Sequence, residues 1–198
     1  MQITQNRSIV LSSGSPRRKE YLERYKLDFK IVKGDIDETR NANESPLLFS
    51  QRMAREKALE VQKSVEGDSV IIAADTIVVF NGEVLGKPDS QDHAFEMLKS
   101  LNGNLHEVIT SYFVLDCQDR KQVEKSVKTS VKFKNLNNTI LENYACSPEP
   151  HDKAGAYSIQ GIGTILVEFI EGSYNNVVGL PVEELFQDLI SLNVISLQ

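Results

Sequence analysis

Apolar residues along this chain fall into short unbroken runs and helical stripes, separated by turn signals, from one end to the other. Ile9-Val10-Leu11 is the first strand-like run, and Ser12-Ser13-Gly14-Ser15-Pro16 follows it. Ser15 suits an N-cap and Pro16 the first helical position, so a helix is predicted from there to about Tyr25, with Tyr21, Leu22 and Tyr25 on one face. The same logic starts a second helix at Ser45-Pro46. It carries Leu48, Phe49, Met53, Ala54, Ala58, Leu59 and Val61, with Arg52, Arg55 and Lys57 beside them.

Val70-Ile71-Ile72-Ala73-Ala74 shows no polar alternation, the pattern of a strand buried on both faces, and is read as ending at Asp75-Thr76 before a further run, Ile77-Val78-Val79-Phe80. Asn81-Gly82 predicts a hairpin turn into Glu83-Val84-Leu85. Ser90 to Leu101 reads as a helix with Ala94, Met97, Leu98 and Leu101 inward, stopped by Asn102-Gly103. Strands are predicted at about 105–115 and 122–134, the second alternating Val127, Thr129, Val131 and Phe133 with Lys128, Ser130, Lys132 and Lys134. A short helix near 138–145, a Gly-rich segment from Gly155 to Gly172 and a helix opened by Pro181 complete the chain.

Helices and strands are thus mixed throughout, and the hairpins exclude a purely parallel sheet. The expected class is α/β, a mixed twisted sheet flanked by helices. No internal repeat, low-complexity tract or linker interrupts residues 1–198, so one domain is expected.

Composition narrows the function classes. With 22 Lys and Arg against 28 Asp and Glu, the net charge of −6 argues against a nucleic-acid-binding domain. No apolar run approaches the roughly 20 residues of a membrane span, and Met1 to Arg7 lack the apolar core of a signal peptide, so a cytoplasmic protein without membrane contact is expected. Cys117 and Cys146 have neither CxxC spacing nor a His at ligand spacing, and read as two reduced thiols.

The segment Ser12 to Arg18 lies between a strand and a helix start, where free backbone N–H groups, hydroxyls and a positive dipole end suit an anion. Arg17, Arg18 and Lys19 in the first helical turn oppose that dipole, and an anion would offset the cost; the alternative is a capped helix with solvated arginines. The Gly-Lys-Ser/Thr ending of a Walker A loop is missing. Asp75 follows five apolar residues at a strand end, a place for a carboxylate that binds a divalent metal or polarises a water, or that only caps the strand. Lys87 in Gly86-Lys87-Pro88 is a cation on a rigid turn, either functional or merely solvated. Asp35, Asp37 and Glu38 form an acidic cluster, a source of a second metal ligand or simply surface. Gln160, among the small residues of 152–163, can read a base edge or satisfy loop backbone. His93, His106 and His151 are dispersed, and there is no GxSxG, which leaves a Ser-His-Asp hydrolase without support.

Five blocks then occur in order over nearly the whole chain: Ser-Gly-Ser-Pro-Arg-Arg at 13–18, Ala74-Asp75-Thr76-Ile77-Val78, Gly86-Lys87-Pro88, Asp152 to Tyr157 with Ile159-Gln160-Gly161, and Gly172-Ser173-Tyr174 with Val177 to Pro181. Together they resemble the Maf family of nucleoside triphosphate pyrophosphatases. The resemblance implies an inosine-triphosphatase-like, two-lobed fold with a central cleft. It also implies cleavage between α- and β-phosphates to give a nucleoside monophosphate and pyrophosphate, and a divalent cation, Mg²⁺ or Mn²⁺. Ala156-Tyr157, Gln160 and Gly172-Ser173-Tyr174 resemble the branch acting on dTTP and UTP, since the 7-methyl-GTP branch would carry Glu in place of Gln160. By position the resemblance makes Asp75 the proton acceptor and Arg17, Thr76 and Gln160 the residues that choose the base. Ser13, Arg18, Lys57 and Lys87 would bind phosphates, and Glu38 with Asp75 would hold the metal. A homodimer is implied as well. The family's historical name brings an alternative, a nucleotide-binding regulator of septum formation without turnover.

Overall fold

In a computed structural model the chain is described at residues 2–65 and 67–198. It contains β1 (Ile3–Gln5), β2 (Ile9–Ser12), α1 (Pro16–Arg24), β3 (Phe29–Ile31), α2 (Pro46–Gln62), β4 (Val70–Phe80) and β5 (Glu83–Leu85). These are followed by α3 (Gln91–Leu101), β6 (Leu105–Asp116), β7 (Gln122–Phe133), α4 (Asn138–Ala145), β8 (Val167–Glu171), α5 (Tyr174–Val178), α6 (Val182–Ser191) and β9 (Ile195–Leu197). Short 3₁₀ turns at Pro150–Asp152, Ala154–Ala156 and Gly161–Leu166 fill the Gly-rich stretch. Strand pairing follows the order β3-β2-β4-β6-β7-β8, with β5 on β4, and β1 pairs separately with β9. β2 runs parallel to β3 and β4, whereas β4–β5 and β7–β8 are antiparallel, so the sheet is mixed as the hairpins require. No helix among the described residues is long and apolar enough to cross a membrane.

The chain divides into two compact units. The first comprises the residues up to Asp75, Thr110–Ser126 and Gly179–Gln198; the second comprises Thr76–Ile109 and Val127–Val178. In the first, α2 packs through Ala54, Ala58 and Val61 on Val10 of β2 and on Ile71 and Ala73 of β4, with Phe113 and Leu115 of β6 in the same cluster. Alanines at the contact let the helix backbone approach the sheet closely. In the second unit Ala94, Leu98 and Leu101 of α3, Leu141 and Tyr144 of α4, and Val131 and Phe133 of β7 surround Tyr157 and Leu166.

Two local expectations are corrected. β4 does not stop at Asp75: it is one strand of 11 residues, and Asp75 and Thr76 lie inside it. A polar pair inside a strand that is otherwise almost wholly buried looks like an ending from sequence, because what tolerates the carboxylate there is a partner 18 residues away on α2. Ser15 does hold the N-cap position of α1, but its side chain caps nothing; the hydroxyl of Ser13 instead accepts from the Ser15 N–H at 3.2 Å. The cap of α2 forms as read, Ser45 accepting from Leu48 N, and Ser90, read as the first residue of α3, is its N-cap and accepts from His93 N. Asn81 and Gly82 both adopt positive φ, 50° and 82°, as the tight hairpin between β4 and β5 requires.

Candidate active site

Side chains alternate faces along β4, so Asp75 shares a face with Ile71 and Ala73, the face that α2 covers. Lys57 of α2 therefore reaches it: Nζ donates to Asp75 Oδ1 at 2.7 Å and lies 3.0 Å from Glu38 Oε1. Lys57 and Asp75 side chains are nearly buried, at 13% and 12% exposure, whereas Glu38 is 59% exposed. The backbone of Lys57 is fixed independently. Its carbonyl accepts from Ser12 Oγ at 3.0 Å, and a Cβ on Gly34 would come within 2.8 Å of that same carbonyl, so only glycine lets the 32–38 segment lie against α2 there. Asp75 Oδ2 has no hydrogen-bond partner among the described residues.

At the start of α1 the two arginines part company. Arg18 is buried: Nε donates to the Gly179 carbonyl at 2.7 Å and Nη1 to Ser13 Oγ at 3.1 Å. Burial pushes its guanidinium down to about 10, against the opposing pull of Asp75, and it remains a cation at neutral pH. Arg17 is half-buried. Ser13, Arg18, Lys57, Asp75 and Glu38 are thus assembled within one unit, from the β2–α1 turn, α1, α2, β4 and the loop after β3.

The second unit holds the other sequence candidates. Thr76, half-buried, is the next residue of β4 and faces away from Asp75. Lys87 is exposed on its turn, and that turn is tied down by the Gly155 N–H donating to the Gly86 carbonyl at 3.0 Å. Gln160 is half-buried at the entrance of the 161–166 turn, its N–H donating to Ser158 Oγ at 3.1 Å. Tyr157 is buried, its hydroxyl 2.8 Å from His106 Nε2 and its ring edge-on to Phe133 and His106. Burial lowers His106 to about 4, so the imidazole is neutral at pH 7.

A profile of the Maf family, described as Maf-like protein, matches residues 8–192. This chain belongs to the Maf family. It is 46% identical over 180 residues to the dTTP/UTP pyrophosphatase of Clostridium novyi (strain NT), covering 90% of this chain and 94% of that relative. To the dTTP/UTP pyrophosphatase of Clostridium tetani (strain Massachusetts / E88) it is 45% identical over 181 residues, with the same coverage, 90% and 94%. In fold it is similar to a HAM1 protein from Coxiella burnetii, TM-score 0.53 at 14% identity over 95% of this chain and 99% of that one. The Ham1 protein of Staphylococcus aureus gives a TM-score of 0.52 at 12% identity, over 94% and 100%. These identities speak to the fold alone, an α/β Ham1-like architecture.

Within this Maf chain the structure also adds residues that sequence reasoning passed over. Arg52 of α2 grips Glu44 with two parallel bonds, Nε to Oε1 at 2.7 Å and Nη2 to Oε2 at 2.8 Å, and Nη2 also donates to the Thr39 carbonyl at 2.9 Å. The hydrogen bond from Arg52 holds the Glu44 carboxyl down at about 2. This fork fastens to α2 the loop that carries Glu38. The Lys33 side chain crosses the β2–α1 turn, its Cε only 2.7 Å from where a Cβ on Gly14 would stand. Glu149, next to Pro150, accepts from two backbone N–H groups of the Gly-rich segment. No local signal marks any of these three, because each acts on a partner at least eight residues away.

Two carboxylates, Asp75 and Glu38, converge on one cation, the Lys57 ammonium. No group of three or more His, Cys, Asp or Glu gathers among the described residues. A pair of hard oxygen donors fits Mg²⁺ or Mn²⁺, which commonly take one or two carboxylates and complete their shell with water and substrate phosphate.

Proposed function

We propose that this chain hydrolyses dTTP and UTP to the nucleoside monophosphate and pyrophosphate, acting on the cytoplasmic nucleotide pool and keeping unwanted pyrimidine precursors from nucleic acids. The reading rests on family membership with the two dTTP/UTP pyrophosphatase relatives, and the observation that carries the chemistry is Asp75. It is nearly buried, has one oxygen fixed by Lys57 at 2.7 Å and leaves the other open. That oxygen takes the proton of the attacking water as the water adds to the α-phosphorus, while the bond to the α–β bridging oxygen breaks and the electron pair leaves with pyrophosphate. Ser13 with Arg17 and Arg18 supply hydroxyl and guanidinium donors to the phosphates, and Lys57 and Lys87 offset charge on the departing pyrophosphate.

Mg²⁺ or Mn²⁺ held by Asp75 and Glu38 would neutralise phosphate charge and lower the cost of hydroxide formation. Gln160, with Arg17 and Thr76, chooses the pyrimidine base, its amide offering one donor and one acceptor edge. The same reading includes a homodimer, which light scattering on the purified chain would test.

The decisive assay is pyrophosphate release from dTTP, UTP, CTP, GTP and 7-methyl-GTP, with Mg²⁺ or Mn²⁺ and with chelator, with Asp75→Asn run alongside. Metal-dependent turnover of dTTP and UTP, lost in the variant, is the expected result. Preference for 7-methyl-GTP, or no turnover of any nucleotide by folded protein, would overturn the reading.

A further inference from the structure

The Gly-rich segment of the second unit is built around a carboxylate that the reaction above does not use. Glu149 Oε1 accepts from the Gly163 N–H and from the Tyr144 hydroxyl, each at 2.9 Å, and Oε2 accepts from the Ile162 N–H at 3.1 Å. Tyr144 Oη in turn accepts from the Ser158 N–H at 3.1 Å, and Ser158 Oγ accepts from the Gln160 N–H at 3.1 Å. Gln160 is thereby suspended between two anchored points, 158 on one side and 162–163 on the other, and both lead back to one carboxylate–phenol pair. The flanking glycines fit this carboxylate. A Cβ on Gly161, whose φ is 62°, would stand 2.5 Å from Glu149 Oε2, and one on Gly163 would stand 2.6 Å from Tyr144 Oη and 2.9 Å from Glu149 Oε1. All of Glu149's carboxylate partners are neutral N–H and O–H groups; the Lys153 ammonium donates instead to the Glu149 backbone carbonyl, at 3.2 Å.

We propose that Glu149 is a specificity-determining positioning residue, whose carboxylate fixes the backbone that presents Gln160 to the pyrimidine base. The inference rests on Gln160 reading the base. Discrimination by an amide requires its donor and acceptor to point in fixed directions, because a half-turn about its last bond exchanges them. Charge-assisted bonds to backbone N–H groups are the strong kind available for fixing a loop. A glutamine at 149 keeps one acceptor but turns an NH₂ towards Ile162 N or Gly163 N, so at least one donor loses its partner.

The test compares kcat and KM for dTTP, UTP and CTP in the full chain and in Glu149→Gln, Gln160→Ala and the double variant, with melting temperatures recorded for each. The expected result for Glu149→Gln is a preference for dTTP over CTP about tenfold weaker, of the size that misdirected polar contacts cost in recognition. The loss should be carried by KM, with kcat on dTTP retained and the double variant no less selective than Gln160→Ala alone. An unchanged ratio in Glu149→Gln beside a flattened ratio in Gln160→Ala overturns the positioning role and leaves the base-reading role standing. An unchanged ratio in Gln160→Ala removes the base-reading role, and this proposal with it. A uniform fall on every nucleotide marks Glu149 as merely structural and also overturns it. Should Glu149→Gln fail to fold, Tyr144→Phe, which cuts only the link between Ser158 and the carboxylate, decides: a weaker shift in the same direction supports the proposal and a parental ratio overturns it.

Discussion

In the first unit charge meets charge at two places: Lys57 lies between Asp75 and Glu38, and Arg52 forks Glu44, while the buried Arg18 cation is held by a carbonyl and a hydroxyl. In the second unit the candidate groups are placed by backbone and neutral partners: Gly86 on Gly155, Gln160 on Ser158, Tyr157 on His106. The Glu149 carboxylate there takes only neutral donors. The contrast suits a division of labour. On the proposed reading, the ion pairs would present full charges to phosphate and water, where the field decides the rate. Neutral hydrogen bonds fix directions, which is what distinguishing one base from another needs.

Substitutions should separate the two. The largest effect is expected from Asp75→Asn, a fall of about 10²–10⁴-fold in turnover, with some loss of stability because the nearly buried Lys57 ammonium loses its charged partner. Steady-state pyrophosphate release checks it. Base preference among the residual activities should be unchanged.

Acid should act on the second unit instead. His106 is neutral when folded, with its titration lowered from 6.5 to about 4 by burial, so between those values the unfolded chain binds the extra proton. Stability is therefore fully present above pH 6.5 and is lost as pH falls towards 4, by a total on the order of 3 kcal/mol. Denaturant midpoints across that window, parental against His106→Gln, measure it, and the variant should flatten the slope. The Arg52–Glu44 fork of the first unit stays ionised throughout, Glu44 titrating only at about 2.

Gly163→Ala drives a methyl group into the Ser158 carbonyl. We expect a loss of about 1–3 kcal/mol, the usual cost of overpacking, with disturbed base preference and an unaltered metal requirement. The mirror-image variant is Arg52→Ala, which frees the loop bearing Glu38. Here the Mn²⁺ concentration for half-maximal activity should rise by up to about tenfold while base preference holds, as read from metal titrations with dTTP and CTP.

Much of this arrangement is legible in the sequence where neighbouring residues decide it. Ser45 and Ser90 announce their helices, and Asn81-Gly82 its hairpin, because cap and turn act within three or four residues. The order of helices and strands, and hence the mixed α/β class, follows from that. β1, β3 and β9 escape notice because three residues carry no periodicity; Ile3 finds its partner, Leu197, only in the fold. The candidate site divides in the same way. Asp75 and the Ser13–Arg18 turn stand out by their surroundings in the chain. Arg18's burial, the Arg52–Glu44 fork and Glu149's hold on 162–163 depend on groups brought together from separate elements.

Asp75 stands in the middle of a strand that is paired with β2 along its first half and with β5 near its end, and that has β6 as its other neighbour. Such a strand belongs to the last part of a protein to open, so its amides exchange with solvent on the timescale of global unfolding. On the proposed reading, the carboxylate that takes the water's proton is therefore held by the part of the fold that opens last. If Asp75 reacts as proposed, changes in the loops that bear Glu38 and Gln160 leave the strand that holds it untouched.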